Sequence, residues 1–275
     1  MKQAGVKIIY SIPGLKVHAK VALVKKRTGQ RMTYYGLLAT GNLNETTARF
    51  YTDHILLTGN HDLMREMELL FIFLSKRKDP HTAETIPFRH LLVAAFNLQK
   101  RFLELMDREI VHARQGLPAS ITIKLNNLEE QVMISKLYEA SNAGVAITLI
   151  IRSICCCIPG VPGMSANIRI LRIVDRYLEH GRVFIFHNNG AEEIYLGSSD
   201  WMNRNLYRRI EVCFPLYDPV LQQEIREIIR LQVADTVAAV EVDAEGRNTV
   251  LVPGEHAVRS QEAVYHFLQG ARNQS

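Results

Sequence analysis

The stretch IRILRIVDRYLEHGR, residues 168–182, aligns without a gap on VKIIYSIPGLKVHAK, residues 6–20. Each copy is typical of a strand, a bend and then a histidine with a cation two places further on. After a shorter hairpin the match resumes, with residues 41–53 against residues 197–209. The sequence therefore predicts two related halves that build one site where they meet. The residues paired by this alignment are His18 with His180, Lys20 with Arg182, and Tyr51 with Tyr207.

The repeated histidine and cation suggest phosphate chemistry. In a strand, residues i and i+2 share a face, so His18 and Lys20 are expected to point together, and so are His180 and Arg182. Neutral imidazole is a competent nucleophile, and a second histidine can act as acid or base near neutral pH. The cations would hold the charge of phosphate oxygens. One such pair alone is typical of an ordinary surface or core contact, whereas two copies in matching context favour a site.

Five further residues are candidates, each with an alternative interpretation. Arg152 ends an almost wholly apolar strand, where it either faces an anion or emerges into solvent. Arg208 and Arg209 either bind phosphate or form an exposed salt-bridged pair. Tyr51 either stacks on a base or packs in the core, and its neighbour Asp53 could orient a histidine or a hydroxyl.

The pattern along the chain predicts an α/β fold with two domains, residues 1–87 and 88–275. Residues 119–128, 129–144 and 145–153 have the pattern of a strand, a helix and a strand, which form a βαβ unit and imply a parallel sheet. The other predicted elements are strands over 5–12, 18–26 and 34–42, a helix over 62–76, a linker over 79–87, and a long amphipathic connecting helix over 88–114.

The composition limits the class of protein. The formal net charge of +5 indicates a polyanionic partner but does not choose between nucleic acid, phospholipid and polyphosphate. No apolar run reaches the roughly 18 residues of a membrane span. Residues 155–157 are three adjacent cysteines and the fourth is Cys213, a spacing that fits neither a zinc hook nor a disulfide framework. We expect small buried thiols in a reducing cytoplasm.

Six strings closely resemble the C-terminal catalytic region of the bacterial polyphosphate kinase family. The resemblance covers nearly the whole chain and implies two related phospholipase D-like α/β domains, with mixed sheets flanked by helices. It also implies that the first domain lacks its beginning, including the arginines of the family's metal site. The strings are GLKVHAK (14–20), ATGNLNETTARFYTDH (39–54), LYEASNAGV (137–145), IIRSICCCIPGVPGMSANI (150–168), RYLEHGR (176–182) and GSSDWMNRNL (197–206).

The resemblance also implies an activity, which is reversible transfer of the ATP γ-phosphate to inorganic polyphosphate with Mg²⁺. It makes His18 the phosphorylated nucleophile and His180 the second catalytic histidine, with Tyr51 at the nucleotide and Arg152 at the phosphates. The expected partners are ATP, ADP and polyphosphate, with no nucleic acid and with a homo-oligomer for the full-length protein. The expected location is the cytoplasm, or the surface of the inner membrane. The metal ligands are left open.

Two alternatives remain at the level of sequence. A phospholipase D-like phosphodiesterase would use the same two histidines. However, HAKVALVKK has no acidic residue after the lysine, and the second copy has Arg182 in place of lysine, which argues against hydrolysis of phosphodiesters. The other alternative is a catalytically incomplete chain that only binds polyphosphate.

Overall fold

The computed structural model describes residues 2–10, 14–76, 86–252 and 257–272. The strands in this part of the chain are β1 (Lys16–Val17), β2 (Lys20–Thr28), β3 (Arg31–Ala39), β4 (Tyr51–Thr52), β5 (Ile55–Thr58), β6 (Leu92–Val93), β7 (Ser120–Leu125), β8 (Ala146–Ile151), β9 (Ile168–Ile173), β10 (Leu178–Glu179), β11 (Arg182–Phe186), β12 (Glu193–Gly197), β13 (Arg209–Ile210), β14 (Val212–Pro215), β15 (Ala239–Val242) and β16 (Asn248–Val250). The helices are α1 (His61–Lys76), α2 (Leu98–Arg114), α3 (Gln131–Asn142), α4 (Asn203–Tyr207), α5 (Pro219–Val233) and α6 (Ser260–Arg272).

The predicted βαβ unit lies at the centre of a mixed sheet, whose order within the described ranges is β16-β15-β9-β8-β7-β11-β12-β14-β6. Strands β7, β8 and β9 run parallel, and the outer strands are antiparallel. Helix α3 begins where the Glu130 side chain accepts from the Met133 amide at 2.8 Å and is followed by Gly144 at φ +96°. Local capping signals explain why this unit was predictable.

The connecting helix is shorter than predicted, because α2 begins only at Leu98. Residues 92–93 pair instead with β14 at the edge of the large sheet. The Asn97 side chain accepts from the Val93 amide at 2.8 Å and donates to the carbonyls of Phe88 and Leu91. These hydrogen bonds pair backbone groups in a turn, and that turn replaces the first part of the predicted helix. Residues 88–97 are therefore not helical.

The first half forms an antiparallel sheet of β2, β3 and β5 with α1 against it. The predicted strands over 18–26 and 34–42 and the helix over 62–76 are found here, with the strands shifted by two to three residues. The predicted strand over 5–12 is not found in its described residues 5–10, which pair with no strand of the described chain. Residues 11–12 and most of the predicted linker, residues 79–85, lie outside the described residues.

One apolar core spans both predicted domains. Leu38 and Met64 of the first half pack in the same buried cluster as Val183, Ile210 and Phe214 of the second. A second cluster lies inside the second half around Phe102, Phe184 and Trp201. The α/β fold class expected from the sequence is confirmed, with helices flanking a large mixed sheet, whereas the described sheet β2-β3-β5 of the first half is antiparallel. The boundary between residues 87 and 88 stays a prediction.

The thiols differ in exposure. Cys157 and Cys213 are buried, as expected, but Cys156 is exposed because neighbouring side chains of an extended segment point in opposite directions. No helix among the described residues is long and apolar enough to cross a membrane.

Candidate active site

His18 lies in a break between two strands rather than within one continuous strand. Strand β1 ends at Val17 and β2 begins at Lys20. The amides of His18 and Ala19 both donate to the carbonyl of Ile210, at 2.8 and 3.0 Å. This two-to-one pairing resembles a β-bulge, a device that redirects a side chain beside active sites.

His180 lies in the same kind of break between β10 and β11. The amides of His180 and Gly181 both donate to the carbonyl of Thr52, at 3.2 and 2.9 Å. A Cβ on Gly181 would lie 2.8 Å from His54 Cδ2, which is closer than real Cβ contacts come. The predicted repeat is therefore present in the backbone around both histidines.

Each histidine bonds to a carboxylate from the other half of the chain. His18 Nδ1 lies 2.9 Å from Glu211 Oε2, and His180 Nδ1 lies 2.9 Å from Asp53 Oδ1. The hydroxyl of Thr40 donates to Asp53 at 2.6 Å, and that of Ser198 donates to Glu211. The two dyads thus cross between the halves, and the site requires both of them.

This geometry corrects the downstream alignment by two residues. Parallel pairing of β1 with β13 and of β10 with β4 makes Tyr51 the counterpart of Arg209, not of Tyr207. In the corrected alignment Asp53 matches Glu211. The Tyr207 hydroxyl instead donates to Glu130 at 2.8 Å.

Sequence reasoning missed Glu211, although Asp53 was considered as a residue that orients a histidine. The signal was present in the repeat, since shifting the second alignment by two residues places one acid opposite the other. Glu211 is fully buried, and its second oxygen accepts from Asn205 Nδ2 at 2.7 Å.

Lys20 supplies a positive charge without a partner. Its Nζ is buried and has no hydrogen-bond partner among the described residues. Burial lowers its pKa to about 8, although the nearby Glu211 carboxylate opposes this shift. The charges of Arg182 and Asp53 also act on this amine, so Lys20 lies near both dyads. A buried ammonium without a hydrogen-bond partner is suited to an anionic ligand.

Arg182 is already paired within the protein. It is 4% exposed, and its Nε lies 3.2 Å from Asp200 Oδ1. Its Nη1 donates to the carbonyls of Thr40 and His180 and lies 3.2 Å from His180 Nε2. Arg182 therefore ties the halves together beside His180, and its expected contact with phosphate stays a prediction.

The remaining arginines differ in position. Arg152 Nε donates to Asn126 Oδ1 at 2.9 Å, and Asn126 Nδ2 donates to the His180 carbonyl at 3.2 Å. Arg209 approaches Glu211 at 3.9 Å, whereas Arg208 is exposed. The structure thus connects Arg152 and Arg209 to the two dyads and leaves Arg208 at the surface.

Tyr51 contacts the site directly. Its ring centroid lies 4.7 Å from that of His180 at an angle of 48°. Beside it opens a cavity of about 270 Å³, whose lining includes Phe50, Arg152, Arg176 and Tyr177. The acids in the lining, Asp175 and Glu179, are paired with Arg259 and Lys124, so the aromatic rings and two guanidinium groups make this cavity suitable for a molecule with both rings and phosphates.

The environment keeps the carboxylate of the His180 dyad charged and its imidazole neutral. Burial raises the pKa of Asp53, but hydrogen bonds from His180 and Thr40 outweigh it and hold that pKa below its ordinary value. Burial and the Arg182 charge lower the pKa of His180, although the bond to Asp53 acts against them. The dyad therefore contains a carboxylate and a neutral imidazole near pH 7.

The described residues do not fit a metal ion held by the protein. They include no group of three or more His, Cys, Asp or Glu side chains that could hold one. The acids of the site, Asp53 and Glu211, are bonded to histidines and hydroxyls. The expected Mg²⁺ stays a prediction, and no chemical step is assigned to it below.

Comparison with known proteins agrees with this geometry. The family model for polyphosphate kinase C-terminal domain 2 matches residues 91–261, and that for C-terminal domain 1 matches residues 1–80. Polyphosphate kinase of Escherichia coli is 43% identical over 98% of this chain, and that of Vibrio parahaemolyticus is 42% identical over 100% of it. The chain spans 38% and 39% of the lengths of these relatives.

A solved structure extends the likeness to three dimensions. The crystal structure of polyphosphate kinase from Porphyromonas gingivalis superposes on all of this chain with a TM-score of 0.92 and 42% identity, and the match covers 42% of that protein. The family models, the relatives and this structure agree, and the chain belongs to the polyphosphate kinase family.

Proposed function

We propose that this chain is the catalytic part of an enzyme that transfers the γ-phosphate of ATP reversibly to inorganic polyphosphate through a phosphohistidine on His18. The observation that carries the proposal is the His18–Glu211 bond of 2.9 Å. A buried carboxylate at Nδ1 holds the proton there, so the lone pair of Nε2 is available for attack on phosphorus.

His180 is less suited to be the nucleophile. Arg182 Nη1 lies 3.2 Å from its Nε2 and 3.3 Å from its Nδ1, so a fixed positive charge lies against the ring and opposes the positive charge that the ring would gain on attack. No side chain among the described residues donates to Nε2 of His18. We therefore assign His18 as the nucleophile and His180 as the residue that moves a proton or binds a phosphate oxygen.

The phosphate ligands follow from position and charge. Lys20, with its unpartnered Nζ near both dyads, holds the γ-phosphate together with Arg152, while the charge of Arg182 acts from nearby because its Nη1 protons go to the carbonyls of Thr40 and His180. The cavity next to Tyr51 takes the rest of the nucleotide, with Arg176 as a further cation. Positive charges at fixed positions are the main catalytic device for phosphoryl transfer.

The chemistry has two balanced steps. The lone pair of His18 Nε2 forms a bond to the γ-phosphorus while the bond from that phosphorus to the bridging oxygen breaks and ADP leaves. A terminal oxygen of polyphosphate then attacks the phosphohistidine, and the pair of the broken P–N bond returns to Nε2. The reverse sequence makes ATP from polyphosphate and ADP.

Transfer of label from γ-labelled ATP tests the proposal. After incubation with Mg²⁺, the wild-type chain should carry acid-labile, base-stable phosphate, and His18→Ala should carry none. His61→Ala, in which an exposed histidine is removed, is the matched control and should label normally. Label that persists in His18→Ala would exclude His18 as the nucleophile.

An unlabelled wild-type chain would exclude the first half-reaction in this chain and turn attention to the alternatives. Cleavage of a phosphodiester without ATP would then favour a phospholipase D-like enzyme. Tight, salt-sensitive binding of polyphosphate without turnover would favour a binding function. We also propose that the full-length protein is a homo-oligomer and that it lies in the cytoplasm or at the surface of the inner membrane.

A further inference from the structure

Glu179 is a buried carboxylate at the joint between the two halves. It is 4% exposed and immediately precedes His180. It lies on β10, which pairs with β4 of the first half so that Glu179 is opposite Thr52. It lines the cavity next to Tyr51, but no step of the proposed phosphoryl transfer uses it.

Four side chains from four elements donate to this carboxylate. Its Oε2 accepts from Lys124 Nζ on β7 at 2.5 Å, from Thr52 Oγ1 on β4 at 3.0 Å and from Gln232 Nε2 on α5 at 3.0 Å. Its Oε1 accepts from Gln261 Nε2 on α6 at 2.8 Å. Lys124 is itself 3% exposed. The carboxylate therefore fixes β10 to the sheet, to two helices and to the other half.

The joint that Glu179 holds is short. Strands β4 and β10 share only the pairs Tyr51–Leu178 and Thr52–Glu179. Because side chains alternate along a strand, a slip of one residue would reverse the direction of every side chain. Such a slip would separate Asp53 from His180 and Tyr51 from the His180 ring.

The related joint next to His18 has no buried carboxylate at the equivalent described positions. There β1 pairs with β13, and Val17 lies opposite Ile210, at the position that Glu179 and Thr52 occupy in the second joint. Val17 is 39% exposed and apolar. The buried carboxylate is therefore an addition to the His180 joint and not a requirement of the repeated fold.

We propose that Glu179 is a positioning residue, which sets the register of β4 against β10 and thereby holds Asp53 and Tyr51 against His180. If Glu179 is replaced, a loss of phosphoryl transfer is expected only if the proposed function is right, whereas a looser contact between Asp53 and His180 is expected in either case. The positioning role and the proposed function can therefore be refuted separately.

The geometric test observes the imidazole Nδ1 protons by nuclear magnetic resonance of the whole ¹⁵N-labelled chain. In Glu179→Gln, exchange of the His180 Nδ1 proton with water should accelerate at least tenfold, while exchange of the His18 Nδ1 proton stays within twofold. Thr52→Val, which removes one donor and keeps the shape, should act in the same direction by a smaller factor. Glu109→Gln is the matched control, since Glu109 is also fully buried but accepts from the backbone amides of Ser120 and Asn188.

A double variant separates positioning from charge balance. Glu179→Gln leaves Lys124 as an unpaired buried charge, and Lys124→Gln in the same chain removes that charge. We expect the double variant to unfold at a higher urea concentration than Glu179→Gln while the His180 Nδ1 proton still exchanges fast. If the double variant regained wild-type exchange, or if exchange at both histidines rose equally in Glu179→Gln, the proposal would be wrong.

Discussion

The unpaired charge of Lys20 predicts a specific pH dependence for anion binding. Burial lowers the pKa of this amine from 10.5 to about 8, because it outweighs the opposing effect of the nearby Glu211 carboxylate. Above pH 8 each pH unit should then remove about nine tenths of the remaining charged form. The site should lose its ligand over a range in which ordinary lysines are still charged.

The magnitude follows from the protonated fraction. With a pKa of about 8, this fraction is about 0.9 at pH 7 and about 0.01 at pH 10. If binding requires charged Lys20, the dissociation constant should rise about 100-fold between these pH values. Sulfate is the suitable probe, since its own charge is constant over this range, and titration followed by nuclear magnetic resonance gives its Kd without any need for turnover.

Two variants identify the group. Lys20→Arg should bind sulfate with a Kd that is nearly constant from pH 7 to 10, because guanidinium stays charged. Lys20→Met should bind weakly at every pH. A wild-type Kd that does not change up to pH 10, or a rise in Kd that is equally large in Lys20→Met, would refute the reasoning.

Two further predictions concern Glu211 and His54. Glu211→Gln removes the buried charge that fixes the proton on His18 Nδ1, so formation of the phosphoenzyme should slow by roughly 10³- to 10⁴-fold in rapid-quench experiments, and a loss below tenfold would contradict the dyad. Burial and the nearby charge of Lys124 lower the pKa of His54 to about 4, so the unfolded chain takes up a proton below pH 6.5 that the folded chain does not. The free energy of unfolding should therefore fall by about 3 kcal/mol between pH 6.5 and 4. His54→Asn should flatten this slope in urea titrations, and an unchanged slope would exclude His54 as its source.

The parts of the fold that sequence could predict have local causes. The βαβ unit was predictable because its strands are apolar runs and its helix has a side-chain cap and a terminal glycine. The start of α2 was not, because residues 92–93 pair with β14, more than a hundred residues away, and because the bonds of Asn97 to Phe88, Leu91 and Val93 leave no pattern of apolar residues. The break at His18 was missed for the same reason, since Ile210 imposes it from the other half.

The site shows the same division. Both histidines and their cations could be found from the repeat, because each pair lies within three consecutive residues of one copy. Glu211 lies 193 residues from its histidine, and only the corrected alignment with Asp53 connects the two. A side-chain partner across a domain joint leaves little local pattern, which is also why Glu179 was not singled out.

The two halves share a backbone arrangement around their histidines but differ in the side chains next to them. These differences account for the different roles proposed for His18 and His180. Thr40 and Ser198 are equivalent, since each hydroxyl donates to the carboxylate of a dyad and each amide donates to the residue that follows that carboxylate. Two residues further on, the second half has Asp200, which neutralises Arg182, whereas the first half has the exposed, uncharged Asn42. Lys20 therefore keeps a charge to which no described carboxylate bonds, next to a histidine whose Nε2 accepts no hydrogen bond from the described residues. In the proposed mechanism, one repeat thus supplies the nucleophile with an open anion site, and the other supplies a neutral histidine next to a compensated cation.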